Sequence, residues 1–265
     1  MNRPWLLGIA SLLAFALPGV SSAQSGYVGV NYDTGTLHLF GSHADYDGWS
    51  GDGAAQFDLG GGWGTQVDLG YVDNSFSGSS SHLTDWDVDG HLYHRDANWQ
   101  WGGGLAYSSV HGYGSSDINT WTGAGEGRWF LPNASLGASL SYSHVDASGS
   151  SAHSWRLGGD GRIFITDNFL VRGDLSYETL SASGSSIHAW NGGVGAEWQF
   201  SSLPISLTAN YNRNDFSIPG SHAIVDAFTI GARWNFGGGT LHQRDQTGAN
   251  LDRLSGPYDR LFTGS

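Results

Sequence analysis

Hydrophobic and polar residues alternate along most of this chain. Residues 49–59 read WSGDGAAQFDL. Every second residue from Trp49 gives Trp49, Gly51, Gly53, Ala55, Phe57 and Leu59, and the other phase gives Ser50, Asp52, Ala54, Gln56 and Asp58. A period of two marks a strand whose two faces meet different surroundings. The pattern returns at Trp63–Tyr71, Trp86–His94, Trp99–Tyr107, Trp121–Trp129, Trp155–Ile163, Phe169–Tyr177, Trp190–Trp198 and Phe228–Phe236. In each, the apolar phase holds no Asp, Glu or Arg.

Two phrases recur at about 35 residues. One ends a segment in Tyr, at Tyr32, Tyr71, Tyr107, Tyr142, Tyr177 and Tyr211. The other opens the next segment with Trp, at Trp49, Trp86, Trp121, Trp155 and Trp190. A fixed period of this size belongs to a repeated supersecondary unit. The links decide which unit. Short polar links fall at 60–62, 96–98, 131–134, 166–168 and 201–204, and longer Ser/Gly-rich links at 73–81, 145–152 and 179–187. Tight turns at one end and longer loops at the other predict antiparallel up-and-down hairpins. The expected fold is all-β, an up-and-down antiparallel barrel of about twelve strands between Tyr27 and Phe236.

Aromatic residues stand at both ends of the apolar phase, with small and aliphatic residues between. Two rows are expected, built from Trp49, Tyr71, Trp86, Tyr107, Trp121, Trp129, Tyr142, Trp155, Tyr177, Trp190, Trp198, Tyr211, Trp234 and Phe236. Trp49 and Phe57 are eight residues apart, as are Trp121 and Trp129. Eight residues at ~3.4 Å, tilted by ~40°, rise roughly 21 Å, close to the apolar height of a transmembrane barrel. The apolar phase therefore reads as the lipid face and the polar phase as the lumen.

The polar phase collects the strand charge. Its arginines are Arg95, Arg128, Arg156, Arg162, Arg172 and Arg233. Its acids are Asp52, Asp58, Asp68, Asp85, Asp87, Asp89, Glu126, Asp160, Asp174, Glu178 and Glu197. Six arginines against eleven acids leave a formal charge of −5, which implies water in the lumen. Folding about residues 166–168 sets Arg162 opposite Arg172, Asp160 opposite Asp174 and Arg156 opposite Glu178, a network that braces the wall or contacts solute. The ladder Asp85, Asp87, Asp89 reads as a solvated acidic wall near the loop end, able to gather cations. Histidines 43, 82, 111, 144, 153, 188 and 222 collect at the same rim as interfacial polar residues. No HxH or HExxH spacing is present, so neither a metal nor a cofactor is expected.

Composition narrows the partners. Net charge is −13, all 11 basic residues are Arg, and Cys is absent. A nucleic-acid footprint needs basic residues, so nucleic acid is not an expected partner. Disulfides and thiolate metal sites have no ligands. Residues 1–23, with Arg3, the apolar run Trp5–Leu17 and Ser21-Ser22-Ala23, read as a secretory signal peptide.

The girdled hairpins and the last strand, AFTIGARWNF (Ala227–Phe236), resemble the Gram-negative outer-membrane β-barrel superfamily, in particular its porin-like members. The resemblance covers about residues 25–236, and the barrel domain is expected over residues 24–236. It implies a place in the bacterial outer membrane and, as partners, outer-membrane lipid and lipopolysaccharide, the outer-membrane assembly machinery and small solutes. In that superfamily the terminal aromatic usually ends the chain. Here residues 237–265 follow, a polar tail read as a periplasmic extension or else as a plug folded into the lumen. The expected function is a pore for passive diffusion of small hydrophilic solutes, mildly cation-preferring. The alternatives are a non-conducting structural or adhesive barrel and an outer-membrane lipid hydrolase. An enzyme is not expected, because the adjacent Ser143/His144 and His153/Ser154 point to opposite faces.

Overall fold

The computed structural model describes residues 24–257, apart from Phe40, 79–81, 113–116, 148, 183–184 and 219. The expected signal segment and the last tail residues lie outside the described residues. Twelve strands follow one another: β1 (Ser25–Leu39), β2 (Ser42–Gly60), β3 (Trp63–Phe76), β4 (His82–Arg95), β5 (Trp99–His111), β6 (Asp117–Leu131), β7 (Ala134–Ala147), β8 (Ser150–Thr166), β9 (Phe169–Ala182), β10 (Ser185–Gln199), β11 (Ile205–Ile218) and β12 (Ser221–Phe236). Each pairs antiparallel with the next, and β12 closes on β1 with Gly26 opposite Phe236. Among the described residues, closure leaves no strand edge unpaired, which a barrel in hydrocarbon requires.

The 35-residue repeat is a cross-strand contact. Tyr32 faces Trp49, Tyr71 faces Trp86, Tyr107 faces Trp121, Tyr142 faces Trp155, and Tyr177 faces Trp190. Tyr211 faces Phe228, so the last hairpin keeps the rule with Phe in place of Trp. Ring centroids lie 4.9–5.3 Å apart in four of these pairs, Tyr32–Trp49, Tyr107–Trp121, Tyr142–Trp155 and Tyr177–Trp190. Aromatic pairs at such spacing add to the ladder beyond their area. At the tight-turn end, Trp63 meets Trp101 at 5.8 Å and Trp99 stacks on Trp129 at 5.6 Å. Between the rows, Leu105, Leu140, Leu157, Leu175, Val194 and Ile230 are exposed. A continuous exposed apolar band of this kind is what a bilayer covers.

The tight turns are held locally. Asn98 and Trp99 donate backbone N–H bonds to Asp96 at 2.9 and 2.8 Å, and these two bonds hold its carboxyl below the usual carboxylate range. At the other end, the expected long links are mostly strand. β3 runs to Phe76, β7 to Ala147 and β9 to Ala182. The wall therefore projects beyond the outer aromatic row. There its outward phase turns polar, with His82–Asp73, His111–Asp117, His144–Asp146 and His222–Asp215 pairs at 3.3–3.5 Å. Its inward phase turns apolar. Tyr46, Ala189, Phe216, Ala223, Val225 and Ala227 form a buried cluster inside the outer end, with Leu37, Leu39 and Phe76 against it.

Candidate functional site

The lumen is the candidate site, and the tail lies in it. Gly237, Gly238 and Gly239 all have φ near +80°, at 90°, 76° and 91°. That left-handed run favours glycine, and it turns the chain off the end of β12. Helix α1 (Leu241–Thr247) follows, capped by Thr240 and Gln243 in a capping box. Residues 249–254 then run along the inner wall. Residues 240–254 thus lie against inward-facing residues of the wall.

One wall clamps the tail backbone. Gln66 of β3 donates to the Leu251 carbonyl at 2.9 Å and accepts from the Asn250 and Leu251 N–H groups at 3.1 and 3.2 Å. Asp89 accepts from the Leu254 N–H at 2.5 Å. Arg95 donates to the Gly248 carbonyl and to Asn250 at 2.9 and 3.0 Å. Glycines make room for it: a Cβ at Gly70 would meet Arg253, and one at Gly104 would meet Leu254.

Charges finish the docking. Arg162 bonds Asp245 at 2.9 Å, the Asn250 carbonyl at 2.9 Å and Asp252 at 2.8 Å. Arg244 bonds Glu197 at 2.8 Å and also donates to Asn235. Arg253 reaches Asp87 at 3.4 Å. Arg128 grips Asp160 with both terminal nitrogens, at 2.9 and 3.0 Å. Arg233 pairs with Asp52 at 2.9 Å and Glu197 at 3.5 Å. Burial inside the barrel works to raise the Asp252 carboxyl; Arg162, Arg128 and Arg172 outweigh it and hold the group well below the usual carboxylate range.

Arg162/Arg172, Asp160/Asp174 and Arg156/Glu178 are opposed in the register expected. Asp85, Asp87 and Asp89 are buried, so the ladder is not a solvated wall. Its inner members are covered by tail residues Arg253 and Leu254. Asp58 sits at the turn rim, where it accepts from the Gly60 N–H at 2.7 Å, away from the lumen proper. Glu126 bonds His91 at 2.6 Å. The expected aromatic residues stand on the outward phase; among them Trp49, Trp121, Trp155, Trp190 and Trp234 are the most exposed. Sequence reasoning missed Tyr27, which lies under Arg233 at 4.3 Å. It also missed Asp33, Gln66 and His91, all on the same inward phase as the residues it chose.

The tail leaves a cavity of about 290 Å³ beside it in the lumen. Arg156, Arg172, Asp174, Asn210, Asn212 and Asp252 are among its lining. Outside the barrel, Ser75 and Asp73 both approach Nδ1 of His82, at 3.2 and 3.3 Å. A nucleophilic relay needs the hydroxyl and the carboxylate on opposite ring nitrogens, so this trio is not arranged as a triad.

No family model matches the chain, and no curated protein matches it. Solved structures do. An outer membrane channel from Pseudomonas putida F1 is 13% identical, over 83% of this chain and 97% of that one, with a TM-score of 0.61. The chain has the fold of an outer-membrane β-barrel. The beta domain of the Bordetella autotransporter BrkA is similar at 15% identity, over 80% of this chain and 100% of that one, TM-score 0.53. The translocator domain of the autotransporter NalP from Neisseria meningitidis is similar at 12% identity, over 79% and 87%, TM-score 0.53. At these identities the likeness concerns the fold alone.

Proposed function

We propose that this barrel sits in a bacterial outer membrane as a pore for passive diffusion of small hydrophilic solutes, with mild cation preference and with its own C-terminal tail as plug. The observation that carries the reading is the charged cavity beside the tail. Its 290 Å³ far exceeds the ~10–15 Å³ one water needs, and its lining is polar enough to keep water. A barrel built only to be solid would fill that space with side chains. Cation preference follows from the fixed charge. Arg244, Asp245, Asp252 and Arg253 add two charges of each sign to the lumen, so the negative excess of the wall survives docking. Lipid and lipopolysaccharide surround the apolar band, the assembly machinery reads the aromatic-ended last strand, and small solutes are the lumenal partners. No residue is assigned a catalytic role.

The closely held tail favours a second reading, a non-conducting structural barrel. Single-channel current across a planar bilayer separates the two. The full-length barrel is expected to be silent or to conduct in brief steps, and a barrel ending at Phe236 to conduct steadily with cation preference. In the truncated barrel, Asp85→Asn/Asp87→Asn/Asp89→Asn is expected to weaken that preference, because removing the tail uncovers the ladder. Silence in both correctly folded forms would sink the pore.

A further inference from the structure

Deep in the lumen, three carboxylates converge on one imidazole. His91 of β4 is 1% exposed, Asp68 of β3 1% and Asp89 of β4 3%. Glu126 of β6 accepts from Nδ1 of His91 at 2.6 Å. With the proton on Nδ1, the lone pair of Nε2 points the other way, toward Asp89 Oδ1 at 3.4 Å and Asp68 Oδ2 at 3.6 Å. Nε2 of His91 and Oδ1 of Asp89 are both buried without a hydrogen-bond partner.

These distances have a physical reading. They exceed the 2.7–3.2 Å of a good hydrogen bond. Ligands held ~2.0–2.1 Å from a tetrahedral cation lie roughly 3.3–3.4 Å from one another. One donor atom from each of Asp68, Asp89 and His91 lies within 4.8 Å of the other two. Gln66 donates to both Asp68 oxygens, at 2.9 Å to Oδ1 and 2.8 Å to Oδ2, which orients the carboxylate and leaves a second lone pair on Oδ2 for an ion; the Leu254 N–H takes the other Asp89 oxygen, Oδ2, at 2.5 Å. A carboxylate on the far nitrogen of a metal-binding histidine is the usual outer support of such a ligand. Charge agrees, since a divalent cation would offset the two facing aspartates.

We propose that Asp68, Asp89 and His91 form a lumenal site for a divalent cation of the zinc type, with Glu126 as positioning residue for His91. One imidazole nitrogen and two carboxylate oxygens at this spacing suit zinc better than calcium or magnesium, which take six or more oxygen ligands or keep a water shell. The ion would sit directly behind the bonds by which Gln66 and Asp89 hold Leu251 and Leu254. It would brace the seat of the tail whether or not the barrel conducts. The sequence reading expected no metal, because its ligands come from two strands and follow no contiguous motif.

The test uses the purified full-length barrel, stripped with chelator and titrated with zinc against a chromophoric competitor. One tight zinc per barrel is expected. His91→Gln and Asp89→Asn are each expected to weaken it more than about 100-fold, and Glu126→Gln by about 10–100-fold. A combined His82→Ala/His144→Ala/His222→Ala variant, which removes exterior imidazoles, should keep it. No stoichiometric zinc in the wild-type barrel, or tight zinc retained by His91→Gln, overturns the proposal. Should His91→Gln not fold, X-ray absorption at the zinc edge of the wild-type protein decides: one imidazole with carboxylate oxygens supports the site, and two or more imidazoles overturn it.

Discussion

The two sides of the lumen obey one sequence rule and end up in different states. On the β3–β5 side, inward residues Gln66, Asp87, Asp89, His91 and Gln100 are almost wholly buried, because the tail lies on this wall. On the β8–β9 side, Arg156, Arg172 and Asp174 face a cavity. Strand alternation fixes only that both sets point inward. Whether an inward charge is dry and paired or wet is decided by a third element, and here that element is the tail. A polar lumen therefore does not by itself imply an open one.

The comparison breaks most easily at Arg162, which reaches across from the wet side to hold the dry one. Arg162→Ala leaves Asp245 buried beside an empty position, and removing one partner of a buried pair costs about 3–5 kcal/mol. The tail is then expected to undock, read as fast proteolysis or rapid amide exchange across 241–254. Unchanged protection would mean the backbone clamp alone suffices. Gln66→Ala tests that clamp directly. It strands the Leu251 carbonyl and two N–H groups, for an expected loss of about 1–3 kcal/mol seen in the same exchange experiment.

Acid should act in the same direction and less strongly. The Asp252 carboxyl is held low in the docked state, so its contribution is complete above the ordinary carboxylate value near pH 4. It fades as pH falls below that toward the lowered native value. Asp252 borders the cavity, so solvent screens its pairs and keeps the effect modest. Tail protection measured from pH 6 down to pH 3 is expected to start falling only near the bottom of that range. The smallest effect belongs to Arg172→Ala. Its contact with Asp252 is 3.8 Å long and solvent-facing. Docking should change by no more than about 0.5 kcal/mol, while ion selectivity of the truncated barrel shifts further toward cations. A large undocking would erase the distinction between the two sides.

The fold was legible because its signals are local and periodic. Trp49 and Tyr32, or Trp190 and Tyr177, recur at a spacing that a hairpin converts into contact, and even the Arg162/Arg172 register followed from one turn. The candidate site was less legible, because its partners are remote in sequence. Gln66 and Leu251 are 185 residues apart, and Asp89 and Leu254 are 165 apart. Nothing near Asp85–Asp89 says that Arg253 and Leu254 will cover it. His91 was within reach, since it continues the phase of Asp85, Asp87 and Asp89. Its meaning rests on Asp68 and Glu126, which arrive from neighbouring strands. The apolar cluster around Phe216 and Val225 was hidden differently, by the strands running past the outer aromatic row, where the inward phase turns apolar.

The place where the barrel closes has a consequence for how the molecule is made. β1 and β12 are the most distant strands in the chain, so their junction carries the greatest loop-closure cost and forms late. The tail straddles that junction. Arg244 lies 5.7 Å from the Tyr27 ring of β1 and also bonds Asn235 of β12, while the Ala249 N–H donates to Ser25. A segment that follows β12 in the chain thus fastens the first barrel strand to the last. Sealing the cylinder and filling it become a single late event, and a cylinder split along that line would lose its occupant as well.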